Sequence, residues 1–216
     1  MNIRKYIVLG ILFFLPITAY IFFALSTNYF RPLPVLKEDV AELHNFSTLQ
    51  GKPVRLKNHI SILAFFGSNL EENRAYAYNI AHLIYSKNHN FDDFQLVVLL
   101  PEGTESSAEK IEENLRHIAP LDSWHFAFGE TEEVARVFNS LESGFELDQN
   151  AATPYVFIVD KERNLRGRDD DKDLGIMHGF NSANVAEINN KMKDDVKVLL
   201  AEYRRELKKY KSDRQI

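Results

Sequence analysis

The side chains available for chemistry in this 216-residue chain are seven histidines and 31 carboxylates, and cysteine is absent. Without a thiol the chain can form no disulfide, thiolate zinc site, iron–sulfur cluster or cysteine nucleophile. Met177-His178 is a Met–His neighbour pair. A soft thioether beside an imidazole suits Cu(I), although two ligands do not complete a site. Asp169, Asp171 and Asp173 alternate as hard oxygen ligands do. Leu174 stands where a calcium loop needs glycine, however, and Phe180 where it needs the closing glutamate. The plainer readings are a loop histidine at 178 and a solvated acidic loop at 169–173. No H-E-x-x-H, G-x-S-x-G or glycine-rich phosphate loop occurs. No enzymatic activity and no cofactor is therefore expected.

The elements that must position these residues alternate between strand and helix. Ile60–Phe66 and Phe94–Leu100 are nearly continuous apolar runs, as strands covered on both faces should be. Trp124–Phe128 and Tyr155–Asp160 read as further strands. Phe46–Leu56 reads as a hairpin with Gly51 in the turn. Helices are expected over Glu71–Ser86, with Ala77, Ile80, Ala81 and Ile84 inward, and after Thr104, with Ala108, Ile111, Leu115 and Ile118 inward. Another should follow Thr131, with Val134, Val137, Phe138 and Leu141 inward. A long terminal helix over Ser182–Lys209 carries the stripe Val185, Ile188, Met192, Val196, Leu199, Tyr203 and Leu207. This alternation predicts an α/β fold with a mixed central sheet and flanking helices.

The first 25 residues are different in kind. Tyr6–Leu25 is an uncharged, mostly apolar run of the length that crosses a bilayer as a helix. It is longer than a cleaved leader's apolar region, and no A-x-A site follows it. Arg4 and Lys5 before it favour a cytoplasmic N-terminus, which puts the following domain on the extracytoplasmic side. Net charge is −5; without Arg4 and Lys5 the rest carries 24 basic against 31 acidic residues, a balance of −7. That argues against a nucleic-acid partner and against tight binding of the domain to an anionic membrane surface. The expected organisation is an anchor over 1–29, a linker and lead-in over 30–45, and a domain over 46–216.

The order hairpin, strand, helix, strand, helix, then Thr153-Pro154 before Tyr155–Asp160 resembles the thioredoxin-like superfamily. Within it the chain is most similar to the SCO/SenC group of membrane-anchored cytochrome oxidase assembly proteins. The likeness rests on the anchor, on Phe66-Gly67 ending the first core strand and on Phe157–Asp160 before a turn. It implies a cis bond before Pro154, with that proline facing the loop after Phe66. It also implies Cys-x-x-x-Cys in that loop and a copper-binding histidine before the later strand. Here Glu71 and Ala75 fall at the cysteine positions, and Asn150–Thr153 supplies no histidine.

What survives this comparison is a frame without its redox chemistry. Ser68, Asn69, Leu70 and Glu71, facing Pro154, are the candidate partner-binding residues; the plainer reading of Ser68–Arg74 is a capped helix start. The expected function is a non-redox binding or assembly module with a protein partner. The alternative is a copper carrier on a cysteine-free ligand set that includes Met177 and His178.

Overall fold

The computed structural model describes residues 3–25 and 32–213, and the chain divides into two compact units, Met1–Arg31 and Pro32–Ile216. The first unit is one helix, α1 (Ile3–Leu25), with Pro16 inside it. Its window Arg4–Phe22 has a mean hydropathy of 1.9 and is long and apolar enough to cross a membrane. The Thr18 hydroxyl bonds back to the carbonyls of Phe14 and Leu15, so it adds no unpaired polar group to that surface. Of the linker and lead-in expected over 30–45, residues 30 and 31 lie outside the described residues.

The second unit runs β1 (Val35–Lys37), β2 (Ser47–Thr48), β3 (Ile60–Phe66) and α2 (Arg74–Ile80), then a π turn (Ala81–Tyr85) and α3 (Ser86–Asn88). There follow β4 (Phe94–Pro101), α4 (Glu105–Leu115), β5 (Trp124–Gly129), α5 (Thr131–Asn139), β6 (Ala152–Val159) and β7 (Leu165–Arg166). The chain closes with β8 (Arg168–Asp171), β9 (Gly175–Met177), β10 (Phe180–Asn181), α6 (Val185–Glu187), a second π turn (Ile188–Met192) and α7 (Lys193–Asp213).

The sheet order is β1-β7-β6-β3-β4-β5-β2, with β10 also paired to β6. The pairs β3·β4 and β4·β5 are parallel; β3·β6, β6·β7, β1·β7, β10·β6 and β2·β5 are antiparallel. Every residue of β3 and β4 is buried, because helices cover both faces. Alternation along each strand then divides the core in two. Ile62, Ala64, Val98 and Phe126 face α2, α4 and the terminal helix. Leu63, Phe65, Val97 and Phe157 face α5 and the 40–56 segment. On that second face Phe65, Phe138 and Phe157 meet edge to face, with centroids 5.2–6.0 Å apart.

The stretch read as a lead-in is held to the domain by a buried ion group. Arg166 donates to Asp160 at 2.9 Å, to Glu202 at 2.7 Å and to the carbonyl of Leu33 at 2.8 Å. Arg166 and Asp160 are 6% and 1% exposed, so each charge depends on the other.

Several expectations need correction. No peptide bond among the described residues is cis, so Thr153–Pro154 is trans. The proline lies inside β6, and the trans bond continues the extended strand through a register shift against β3. Phe46–Leu56 is a turn, with Gly51 at φ +68°, but not a full hairpin. β2 pairs with β5, and the turn is closed by an isolated Ser47–Pro53 bridge and by hydrogen bonds between Thr48 and Lys52. The helix expected from Glu71 begins at Arg74, because Glu72 and Asn73 turn back onto the Asn69 carbonyl first. Val185 is exposed, because α6 precedes the part of the terminal helix that meets the sheet. The acidic loop at 169–173 is part of a hairpin of β8 and β9. Lys191 binds Asp171 at 2.8 Å and holds its carboxyl down to about 2. The Leu207 side chain lies outside the described residues.

Candidate partner-binding surface

The loop after β3 is set by Gly67. Its φ is +70°, a region open to glycine. A Cβ there would stand 2.4 Å from the Asn150 carbonyl oxygen and 2.7 Å from the Ala152 Cβ. The backbone can therefore lie against the 150–152 segment, and the Ser68 N–H donates to the Asn150 carbonyl at 2.9 Å. The loop is braced from inside as well. Asn73 Nδ2 donates to the Phe66 carbonyl at 2.9 Å, and Asn69 Nδ2 to Glu72 at 3.0 Å.

Ser68, Asn69 and Glu71 are exposed. Leu70 is fully buried in the core against Phe66 and Ala77, where it supports the loop from beneath rather than presenting a contact. Glu71 has Arg74 at 3.9 Å, so the surface carries both signs of charge.

The facing segment has its own turn. Asp148 Oδ1 accepts the N–H groups of Asn150 and Ala152 at 2.8 and 2.9 Å, and Ala151 sits at φ +59°. Two residues beyond Ala152, the half-buried Pro154 presents its carbonyl to Ser182, which is itself bonded to Asn79 beyond the start of α2. Sequence reasoning placed the loop and Pro154 on one face. It missed Asp148, Asn79 and Ser182, whose roles depend on contacts between distant segments and leave no local signal.

The two metal candidates lie elsewhere. Met177 ends β9 and is 3% exposed, and its sulfur has the Lys191 ammonium 3.9 Å away. His178 is half-buried, and burial pushes its imidazole below the ordinary value. Among the described residues no group of three or more His, Asp or Glu side chains could hold a metal ion.

No protein-family model and no curated protein matches the chain. Solved structures do. BsSco, a member of the Sco family of cytochrome c oxidase assembly proteins in which a disulfide switch was identified, aligns over 79% of this chain and 95% of its own. That match has 15% identity and a TM-score of 0.52. Two candidate electron-transfer and electron-transport proteins of Aquifex aeolicus VF5 align over 77% of this chain and 94% and 98% of theirs. Their identities are 15% and 14%, with TM-scores of 0.53. At such identities the likeness establishes a thioredoxin-like fold.

Proposed function

We propose that this chain is a membrane-anchored, non-redox binding module that holds a protein partner during assembly of a respiratory oxidase or its copper site. Helix α1 is the tether, with the N-terminus cytoplasmic and the folded unit on the extracytoplasmic, periplasmic side. The observation that carries this reading is a thioredoxin-like loop, braced against the 150–152 segment, in a chain with no cysteine. A fold shared with an oxidase assembly protein supports the process, and loss of the thiols argues for holding rather than electron transfer. Ser68, Asn69 and Glu71 provide the exposed contacts, and Leu70 and Pro154 fix their setting.

The test is gentle purification of the full chain from its native membrane, with mass spectrometry of what accompanies it. Oxidase subunits or copper-handling proteins in stoichiometric amounts are expected, and Ser68→Arg with Glu71→Arg should release them. A preparation free of partners, or one indifferent to both substitutions, would refute the reading.

A further inference from the structure

A second concavity lies at the opposite end of the sheet from the Ser68–Glu71 loop, where β4 and β5 begin and His59 leads into β3. It exists because β2 covers β5 only at Ala127 and Phe128, leaving the outer edge of Trp124–Phe126 unpaired by that strand. The turn at 48–55 folds over this gap. The resulting cleft has a volume of about 490 Å³ and is lined by Lys52, Arg55, His59, Gln95, Trp124 and His125, among others. Clefts of roughly 300–1,000 Å³ are the usual size for small-ligand sites.

Its polar groups are unevenly matched. Trp124 is 5% exposed, and its Nε1 is buried with no hydrogen-bond partner among the described residues. An indole N–H can only donate, so the missing partner must bring an acceptor. Trp124 forms part of the cleft wall, so a small shift of the ring that uncovers Nε1 would let a molecule in the cleft supply that acceptor.

The charges point the same way. Arg116 and Glu112, also on the cleft, neutralise each other as an ion pair. Lys52 and Arg55 have no ion-pair partner among the described residues, and with Asp122 also on the wall the lining carries one net positive charge. His59 and His125 both line the cleft. Gln95 is held by its amide, which donates to the Arg55 carbonyl and the Ser61 hydroxyl at 2.8 Å each. In a chain of net charge −5, this cleft has more donors than acceptors.

We propose that the cleft binds a small oxyanion-bearing molecule, carboxylate or phosphate, received by the Lys52 and Arg55 side chains and, once the ring shifts to uncover it, by the Trp124 indole N–H. The inference is independent of partner binding at the other end of the sheet.

Trp124 is the chain's single tryptophan, so tryptophan emission reports on this cleft alone. The full chain in detergent micelles is titrated with inorganic phosphate and with citrate at constant ionic strength, with chloride as the control. A saturable change with phosphate or citrate, absent with chloride, is expected. Saturation by phosphate alone assigns a phosphate-bearing ligand, and by citrate alone a carboxylate. The exposed pair Lys52→Ala and Arg55→Ala should weaken binding about tenfold, as loss of one charge-assisted hydrogen bond would. Lys172→Ala, at an exposed position of the β8–β9 hairpin, should leave it unchanged. If the double variant loses its circular dichroism signal, Arg55→Gln alone replaces it. No saturable change at a Kd of about 1 mM or tighter, or equal affinity in the folded variant, would overturn the proposal.

Discussion

Ser182 donates twice to one oxygen: its backbone N–H and its hydroxyl reach the Pro154 carbonyl at 2.8 and 2.6 Å. Its own carbonyl accepts Asn79 Nδ2 at 2.8 Å. A proline strand residue, the segment after β10 and the helix following the candidate loop are thus joined by consecutive hydrogen bonds. Ser182→Ala removes one of them from a fully buried position and should destabilise the chain by about 1 kcal/mol. Asn79→Ala should leave the Ser182 carbonyl short of a partner at similar cost. Urea denaturation followed by circular dichroism measures both, and no change in either variant would mean the link is incidental.

Gly67 is the position where the loop tolerates least. Alanine there meets a φ of +70° and places its Cβ 2.4 Å from a backbone carbonyl oxygen that cannot swing away. The backbone conformation alone costs about 1–3 kcal/mol. Gly67→Ala should therefore exceed that range in denaturation and should also reduce partner capture, because the loop must move off the 150–152 segment. Wild-type stability in this variant would contradict the close approach.

The parts of the fold that were legible in the sequence are those governed by local burial. Ile60–Phe66 and Phe94–Leu100 could be read because a strand covered on both faces must be apolar throughout. The stripe Ile188, Met192, Val196 and Leu199 could be read because it steps by three or four. Val185 follows the same spacing yet is exposed, since spacing does not say where the sheet ends. Pro154 shows a different limit: its family resemblance suggested a cis bond, while its place inside β6 keeps the bond trans. Asp171 looked like part of a free acidic run, because nothing local announces that Lys191, twenty residues on, will bind it. The cleft at Trp124 was equally hidden, being assembled from the turn at 48–55, the start of β4 and the start of β5.

Glu42 makes stability depend on pH in a predictable direction. Burial alone would raise its pKa, but its carboxylate accepts the N–H groups of Leu56 at 2.7 Å, Leu43 at 2.9 Å and Lys57 at 3.0 Å. Those bonds prevail and lower it below its ordinary value of 4.5. A carboxylate depressed on folding stabilises the native state above the unfolded pKa, and that contribution is lost as pH falls through the folded value. Glu42→Gln should flatten the fall in Tm below pH 4.5 relative to wild type. Glu42→Ala strands buried N–H groups and should cost about 1–3 kcal/mol or more at neutral pH. Parallel pH profiles for wild type and Glu42→Gln would remove Glu42 from the account.

The anchor is tested through the surface it exposes. Within α1, Leu12, Phe13 and Phe14 are 66%, 63% and 70% exposed, and no residue of its apolar window is buried. In water that area would be left unsatisfied, whereas hydrocarbon would cover it. The full chain should sediment with membranes and resist alkaline carbonate extraction. A charged residue near the middle of a spanning helix costs about 2.5–3.5 kcal/mol on insertion. Phe13→Arg with Phe14→Arg should therefore penalise insertion by about 5–7 kcal/mol and move the chain toward the carbonate-soluble fraction. The folded unit should keep its circular dichroism spectrum in that variant, since Leu33, where the lead-in is pinned to Arg166, lies well beyond the substituted residues. Release of the wild-type chain by carbonate would mean that α1 does not span the bilayer, and the assembly-module reading would lose its tether.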